Sequence, residues 1–245
     1  MTKLSVNVNK IATLRNTRSH LQIPDLIHLS KIAINAGADG ITVHPRPDER
    51  HIKPADVSAI AWLLKAYSAI EFNIEGNPFE GSYLEHCIAT RPAQCTLVPD
   101  THSQSTSDHG WSLPVDLERL RPVIQSLKSA GCRVSLFMDP IAEAMPFVAD
   151  LGADRVELYT EPYAASFARR EPHSALKYRE AAQAANALGL GVNAGHDLNL
   201  ENLVHFIEQV PNVLEVSIGH ALIADALEFG MHETVRKYRS LIRDR

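Results

Sequence analysis

One junction recurs along this chain and restricts its architecture more than any other feature. A helical pattern closes on a glycine, and a short β-branched or apolar run follows within a few residues. It occurs at Gly37 and Gly40 before Ile41-Thr42-Val43-His44, at Gly131 before Cys132-Arg133-Val134, at Gly152 before Arg155-Val156, and at Gly189 before Leu190-Gly191-Val192. Glycine accepts the left-handed conformation that ends a helix, so each junction reads as the α-to-β half of a repeating βα unit. The same reading gives candidate strands near 4–8, 41–44, 70–75, 94–98, 132–138, 155–160, 190–194 and 213–218. Helical patterns lie between them at 24–36, 55–67, 80–90, 141–151, 173–188 and 199–209, with Pro24 and Pro54 placed as helix starts. Strands and helices alternating in this way over 245 residues predict an α/β fold, a (β/α)8 TIM barrel with extra helices, in one domain spanning 1–245. The fourth connection exceeds a simple unit: a polar stretch, THSQSTSDHGWS, precedes helical material over 116–130, and a mobile loop plus an extra helix is expected there. An open doubly wound sheet is the second option, but no Gly-x-Gly-x-x-Gly follows the first strand.

Composition narrows the partners. With 24 Lys and Arg against 29 Asp and Glu the net charge is -5, which provides no footprint for nucleic acid. The odd number of widely spaced cysteines, Cys87, Cys95 and Cys132, suits neither a disulfide framework nor a zinc ribbon and points to a reducing compartment. The start, MTKLSVNVNK, lacks the apolar centre of a signal peptide, and no apolar run approaches the roughly 18 residues of a membrane span. A cytoplasmic protein without a membrane partner is expected. The 12 histidines are the one compositional hint of chemistry, and their positions decide which of them matter.

In a barrel of this kind, the C-terminal ends of the strands and the loops after them line the active site. Here those ends carry ionisable and amide side chains: Asn7, Asn9 and Lys10 after the first strand, His44 with Arg46, Arg50 and His51 after the second, Glu75 on the third, His196 after the seventh and His220 after the eighth. Period-2 alternation puts Glu75 on one face with Glu71 and Asn73, Glu75 nearest the mouth and Glu71 deeper in a structural position. His196 and His220 each follow a glycine, which lets backbone approach a ligand. Gly219, between the last strand and a helix start, offers N–H groups to an anion, and Arg18, Arg46, Arg50 and His51 add positive charge, so two phosphates fit the mouth. His28, His86, His173, His205 and His232 fall in helical patterns and read as surface residues. An imine mechanism has poor support, because Lys10 alone among the lysines lies near a strand end, and no Gly-x-Ser-x-Gly elbow or P-loop is present.

The segments VNVNKIATLRNTR, GADGITVHPRPDERHI, NIEGN, LVPD, VSLFMDP, VELYTEPYA, VNAGHDLN and SIGHALI, in this order from Asn7 to about Asp225, resemble the pyridoxine 5′-phosphate synthase (PdxJ) family. The resemblance implies a transferase of vitamin B6 synthesis that condenses 3-amino-2-oxopropyl phosphate with 1-deoxy-D-xylulose 5-phosphate, releasing phosphate and water. It implies no metal or organic cofactor, small phosphorylated substrates as the partners, and assembly as a homo-octamer. Carried over by position, His44 matches the family's proton acceptor, Glu75 its second acid/base residue and His196 its proton donor. Asn7, Arg18, Arg46, His51, Thr106, Gly219 and His220 match substrate-binding positions, with Thr106 in a loop that closes over the substrates. Asn9-Lys10 stands where many members have Asp-His, and Asp197 where glycine is usual; all three fall at substrate-binding positions and read as a variant within the family. Lys10 keeps a cation for a sugar phosphate, whereas Asn9 is no charged acceptor. The alternatives are a metal-dependent sugar-phosphate barrel enzyme and a barrel that binds a phosphate ligand without turnover.

Overall fold

The computed structural model describes residues 1–101, 104 and 106–243. Eight parallel strands close into a ring in chain order: β1 (Lys3–Asn7), β2 (Gly40–Val43), β3 (Glu71–Gly76), β4 (Gln94–Leu97), β5 (Arg133–Met138), β6 (Arg155–Tyr159), β7 (Gly191–Gly195) and β8 (Val213–Ile218), with β8 pairing back onto β1. Around them run α1 (Asn9–Asn16), α2 (Leu26–Asn35), α3 (Pro54–Leu64), α4 (Tyr83–Thr90), α5 (Leu117–Ser129), α6 (Met145–Asp150), α7 (Glu161–Ala168), α8 (Leu176–Ala187), α9 (Leu203–Gln209), α10 (His220–Phe229) and α11 (Met231–Arg243). This is the expected TIM barrel, and each expected strand lies within two residues of an observed one. No helix among the described residues is long and apolar enough to cross a membrane.

Strand alternation explains where the core sits. Leu4 and Val6, Ile41 and Val43, Phe72 and Ile74, and their counterparts round the ring are buried in one continuous apolar cluster with the inner faces of the helices. The intervening residues are polar and meet inside the ring. Ser5 and Thr42 share a 2.7 Å hydrogen bond, Asn73 donates to Thr42, and Thr96 donates to Asn73. Gln94 on β4 donates to Glu215 on β8 at 3.4 Å, a contact between strands that are not neighbours and therefore one that crosses the interior. A polar interior is stable when its members satisfy one another, as these amides and hydroxyls do, whereas the buried Ser135 hydroxyl on β5 has no hydrogen-bond partner among the described residues. At the N-terminal end, Glu71 pairs with Lys3 and Arg133, the structural position expected for it.

Several local expectations need correction. Pro54 is indeed the first residue of α3, but Pro24 precedes Asp25, whose side chain caps α2 by accepting the His28 N–H at 2.9 Å, so the helix starts at Leu26. The pattern at 173–188 is helical only from Leu176: His173 sits in a turn with φ +63°. His205 is half-buried, with Nδ1 3.1 Å from the Tyr163 hydroxyl. In the fourth connection, α5 is the helical material expected over 116–130, but it is the one helix described between β4 and β5 and so the ordinary crossover of that unit, not an extra helix, while His102, Ser103 and Ser105 of the polar stretch lie outside the described residues. Cys87, Cys95 and Cys132 are buried and free.

Candidate active site

The C-terminal ends of the strands open onto a cavity of about 420 Å³. Of the residues singled out from sequence, Asn7, Asn9, Lys10, His44, Arg46, His51, Glu75, Thr106, His196, Asp197, Gly219 and His220 line it. Arg18 does not: it is exposed, just past α1.

His44 is the first residue after β2, and its backbone N–H donates to Asn9 Oδ1 at 2.9 Å. Asn9 thus fixes the backbone that carries the imidazole. Glu75 points inward from β3, with Oε2 3.7 Å from His44 Nδ1. Asn7 Nδ2 and Ser217 Oγ each donate to the Glu75 carboxylate at 3.4 Å. Both His44 and Glu75 are buried. On the other side of the ring, His44 Nε2 lies 3.3 Å from Asp100 Oδ2, and Asp100 pairs with the Arg46 guanidinium.

His51 lies edge-on to His44, ring centroids 6.0 Å apart. Burial first, and then the positive charge or potential charge of His44, Arg46, Lys10 and Arg50, pushes its pKa down to about 3. Its Nδ1 accepts the Ile52 N–H at 2.9 Å, so the neutral ring carries its proton on Nε2 and serves as a donor.

His196 follows β7 in a left-handed backbone conformation (φ +76°), as does Asp197 (φ +52°). Thr160 Oγ1 donates to the His196 carbonyl at 2.5 Å, and Phe137 and Tyr159 hold the ring with centroids at 5.3 and 5.6 Å. Burial lowers the His196 pKa, while the negative charge of Glu75 and Asp197 opposes that shift. The net effect of burial favours the neutral imidazole, and a neutral ring can both donate and accept a hydrogen bond.

Two functional candidates were missed in the sequence. Asp100 is one; it belongs to the LVPD segment but stands in a loop where an acidic residue is unremarkable. Glu157, on β6, is the other. It lines the cavity fully buried, and burial, followed by the nearby Glu75 and Glu215, raises its pKa well above the ordinary carboxylate value. That favours the protonated form, which can donate a hydrogen bond. The alternation in Arg155-Val156-Glu157-Leu158-Tyr159 was a readable signal, since it puts Glu157 on the interior face.

Positive charge reaches the cavity from two sides. Arg46 and Arg50 both donate to the Gln104 carbonyl, at 3.0 and 2.9 Å, and so stand side by side. Past β1, at the end of β8, Gly219 caps α10, whose first N–H groups lie at the start of a helix of ten residues. A β-carbon on Gly219 would come within 3.2 Å of the Asn7 side chain and press on it. Among the described residues, no three His, Cys, Asp or Glu side chains are grouped to hold a metal ion.

Comparison with known proteins fits this geometry. Residues 4–244 match the model of the family described as "Pyridoxal phosphate biosynthesis protein PdxJ". The chain belongs to the PdxJ family. Among PdxJ relatives, pyridoxine 5′-phosphate synthase of Albidiferax ferrireducens is 55% identical over 97% of this chain and 96% of its own length. The protein of the same name from Xanthomonas campestris is 53% identical over 98% and 96%. More distant solved structures share the barrel. The 3-keto-L-gulonate-6-phosphate decarboxylase of Vibrio cholerae has a TM-score of 0.66 at 11% identity, covering 98% of this chain and 97% of that one. Phosphoribosyl anthranilate isomerase of Thermus thermophilus has a TM-score of 0.59 at 14% identity, covering 99% of each. At such identities the likeness concerns the fold alone.

Proposed function

We propose that this PdxJ-family chain is a pyridoxine 5′-phosphate synthase that joins 3-amino-2-oxopropyl phosphate to 1-deoxy-D-xylulose 5-phosphate by a series of proton transfers. The observation that carries the site assignment is the 3.7 Å approach of Glu75 to His44 inside a cavity that His196 also lines. Two imidazoles and a carboxylate supply both acid and base near neutral pH.

In this reading the amine of one substrate attacks the ketone of the other, and Glu75 and His44 move protons as water and then phosphate leave. His196 gives and takes the protons of ring closure and the final dehydration. Arg46 with Arg50, His51 and Thr106 bind one phosphorylated substrate, and the Gly219–His220 helix start with Asn7 binds the other. Lys10 adds charge at the rim, and Asp197 is placed to meet a polar substrate group. Holding both phosphates brings the two carbon skeletons into register for carbon–carbon bond formation. Glu157, as a neutral acid, can donate to an oxygen on which negative charge develops.

The reading extends to a single domain acting in the cytoplasm as a homo-octamer, an assembly that light scattering of the purified protein checks. Mixing the purified protein with both substrates and following pyridoxine 5′-phosphate by its absorbance tests the function. Product formation that persists after chelation supports the reading over a metal-dependent barrel enzyme; tight binding without product points to a ligand-binding barrel.

A further inference from the structure

Asp100 was not singled out by its sequence context, yet it stands at the back of the imidazole that faces Glu75. It follows β4, is only 4% exposed, and its backbone carbonyl accepts a 3.0 Å hydrogen bond from Asn77 Nδ2, which fixes the main chain at that point. Its Oδ2 is a meeting point of donors: the Arg46 guanidinium pairs with it, Ser107 Oγ donates to it at 3.1 Å, and His44 Nε2 lies 3.3 Å away. A carboxylate paired with arginine stays ionised and can only accept. At 3.3 Å the histidine nitrogen that faces it is favoured with a proton, because a bare lone pair there would meet a carboxylate.

We infer that Asp100 is a positioning residue that holds His44 as the Nε2–H tautomer and so leaves Nδ1, on the Glu75 and cavity side, as the atom that receives the substrate proton. The inference rests on the role proposed above for His44 as proton acceptor. At 3.7 Å the Glu75 carboxylate is too far from Nδ1 for a direct hydrogen bond. Nδ1 therefore keeps its lone pair for substrate. When it takes up a proton, the imidazolium lies between two carboxylates, and Asp100 stabilises the charge without itself being protonated. Arg46 is tied to the same oxygen, so the residue that fixes the tautomer also connects the base to a candidate phosphate-binding cation.

Two measurements test this. In the wild-type protein without substrates, long-range ¹H–¹⁵N correlation spectra of the imidazole rings, with His44 assigned by its loss in His44→Gln, report which nitrogen is protonated. The expected result is Nε2–H for the neutral ring. The isosteric Asp100→Asn is expected to shift this ring toward a mixture of tautomers and to lower kcat by about 100-fold or more, with a smaller change in KM. Asp100→Glu, which restores a carboxylate, is expected to recover part of the loss. A neutral His44 protonated on Nδ1 in the wild type overturns the inference, and so does an Asp100→Asn protein with an unchanged tautomer and kcat within twofold, or a loss confined to KM. The tautomer is read without turnover, so it decides the matter even if Asp100→Asn does not fold or the proposed reaction is wrong; failure of the reaction is seen separately, as absence of product from the wild type.

Discussion

The carboxylate of Glu157 occupies the space that a side chain on Gly195 would need: Oε1 lies 2.5 Å from where a β-carbon would stand. Neighbouring strands β6 and β7 therefore share one volume at the base of the cavity, and the glycine at the end of β7 lets a buried acid reach it. Gly195→Ala is expected to displace Glu157 and lower kcat by about 10- to 100-fold, a loss in the range of one misplaced hydrogen-bond donor. Glu157→Gln, which keeps a donor of similar shape, should retain more activity than Glu157→Ala. Steady-state kinetics of the three variants, with circular dichroism to establish folding, check this; equal losses for Gln and Ala would remove the donor role.

Beneath that acid, Glu215 links stability to pH. Burial, outweighing the nearby Arg155, pushes its carboxyl up to about 7. The folded state then keeps a proton that the unfolded chain releases above its ordinary value of 4.5, so this group's contribution is complete below pH 4.5 and declines as pH rises to about 7. Glu215→Gln removes the proton linkage. Its stability relative to wild type should rise with pH across that window by about 1.4 kcal/mol per pH unit, as read from urea midpoints at successive pH values. A difference that does not vary with pH would contradict the assignment.

His51 acts with the opposite sign. Its pKa falls from 6.5 to about 3 on folding, so the unfolded chain binds the extra proton, and stability present above 6.5 is lost as pH falls toward 3. His51→Gln is expected to flatten the acid limb of the stability curve by up to about 1.4 kcal/mol per pH unit between those values. Thermal melts from pH 3.5 to 7 measure it, and an unaltered acid limb would count against a buried neutral ring.

Asp197 occupies a left-handed position that glycine fills more easily, at φ +52° directly after His196 at +76°. Asp197→Gly is expected to stabilise the fold by about 1 kcal/mol and Asp197→Val to destabilise it by more, because a β-branched residue resists that conformation. Asp197 also opposes the lowering of the His196 pKa by burial. Removing its charge should therefore move the His196 ionisation to lower pH, which NMR titration of that ring would detect.

The ring of strands could be read from sequence because the strands alternate an apolar outward face with a bounded inner face, and four of them, β2, β5, β6 and β7, are entered through a glycine. Helices without such punctuation were missed. α1 begins directly after β1, with Val8 as a cap that offers no side-chain acceptor, and α7 is hidden in the polar and aromatic run after β6. α11 follows Gly230 at once, although its buried Met231, Thr234, Val235, Tyr238 and Ile242 keep helical spacing. At the site, residues just past strand ends, such as His44 and His196, were visible because an ionisable group after an apolar run is conspicuous. Asp100 was not, since its importance comes from partners on other strands, whereas Glu157 was overlooked although strand alternation places it on the interior face. Arg18, expected at the mouth both as a loop cation and by resemblance, lies off the cavity wall.

The central claim is that Glu75, 3.7 Å from His44, passes protons during ring formation. Pre-steady-state formation of pyridoxine 5′-phosphate by wild type and by Glu75→Gln, at saturating concentrations of both substrates, tests it most directly. The expected result is rapid product formation by wild type and a rate lower by about 10²-fold or more in Glu75→Gln, as general acid–base catalysis at one group supplies, with substrate binding preserved. A Glu75→Gln protein that forms product at the wild-type rate would contradict the account.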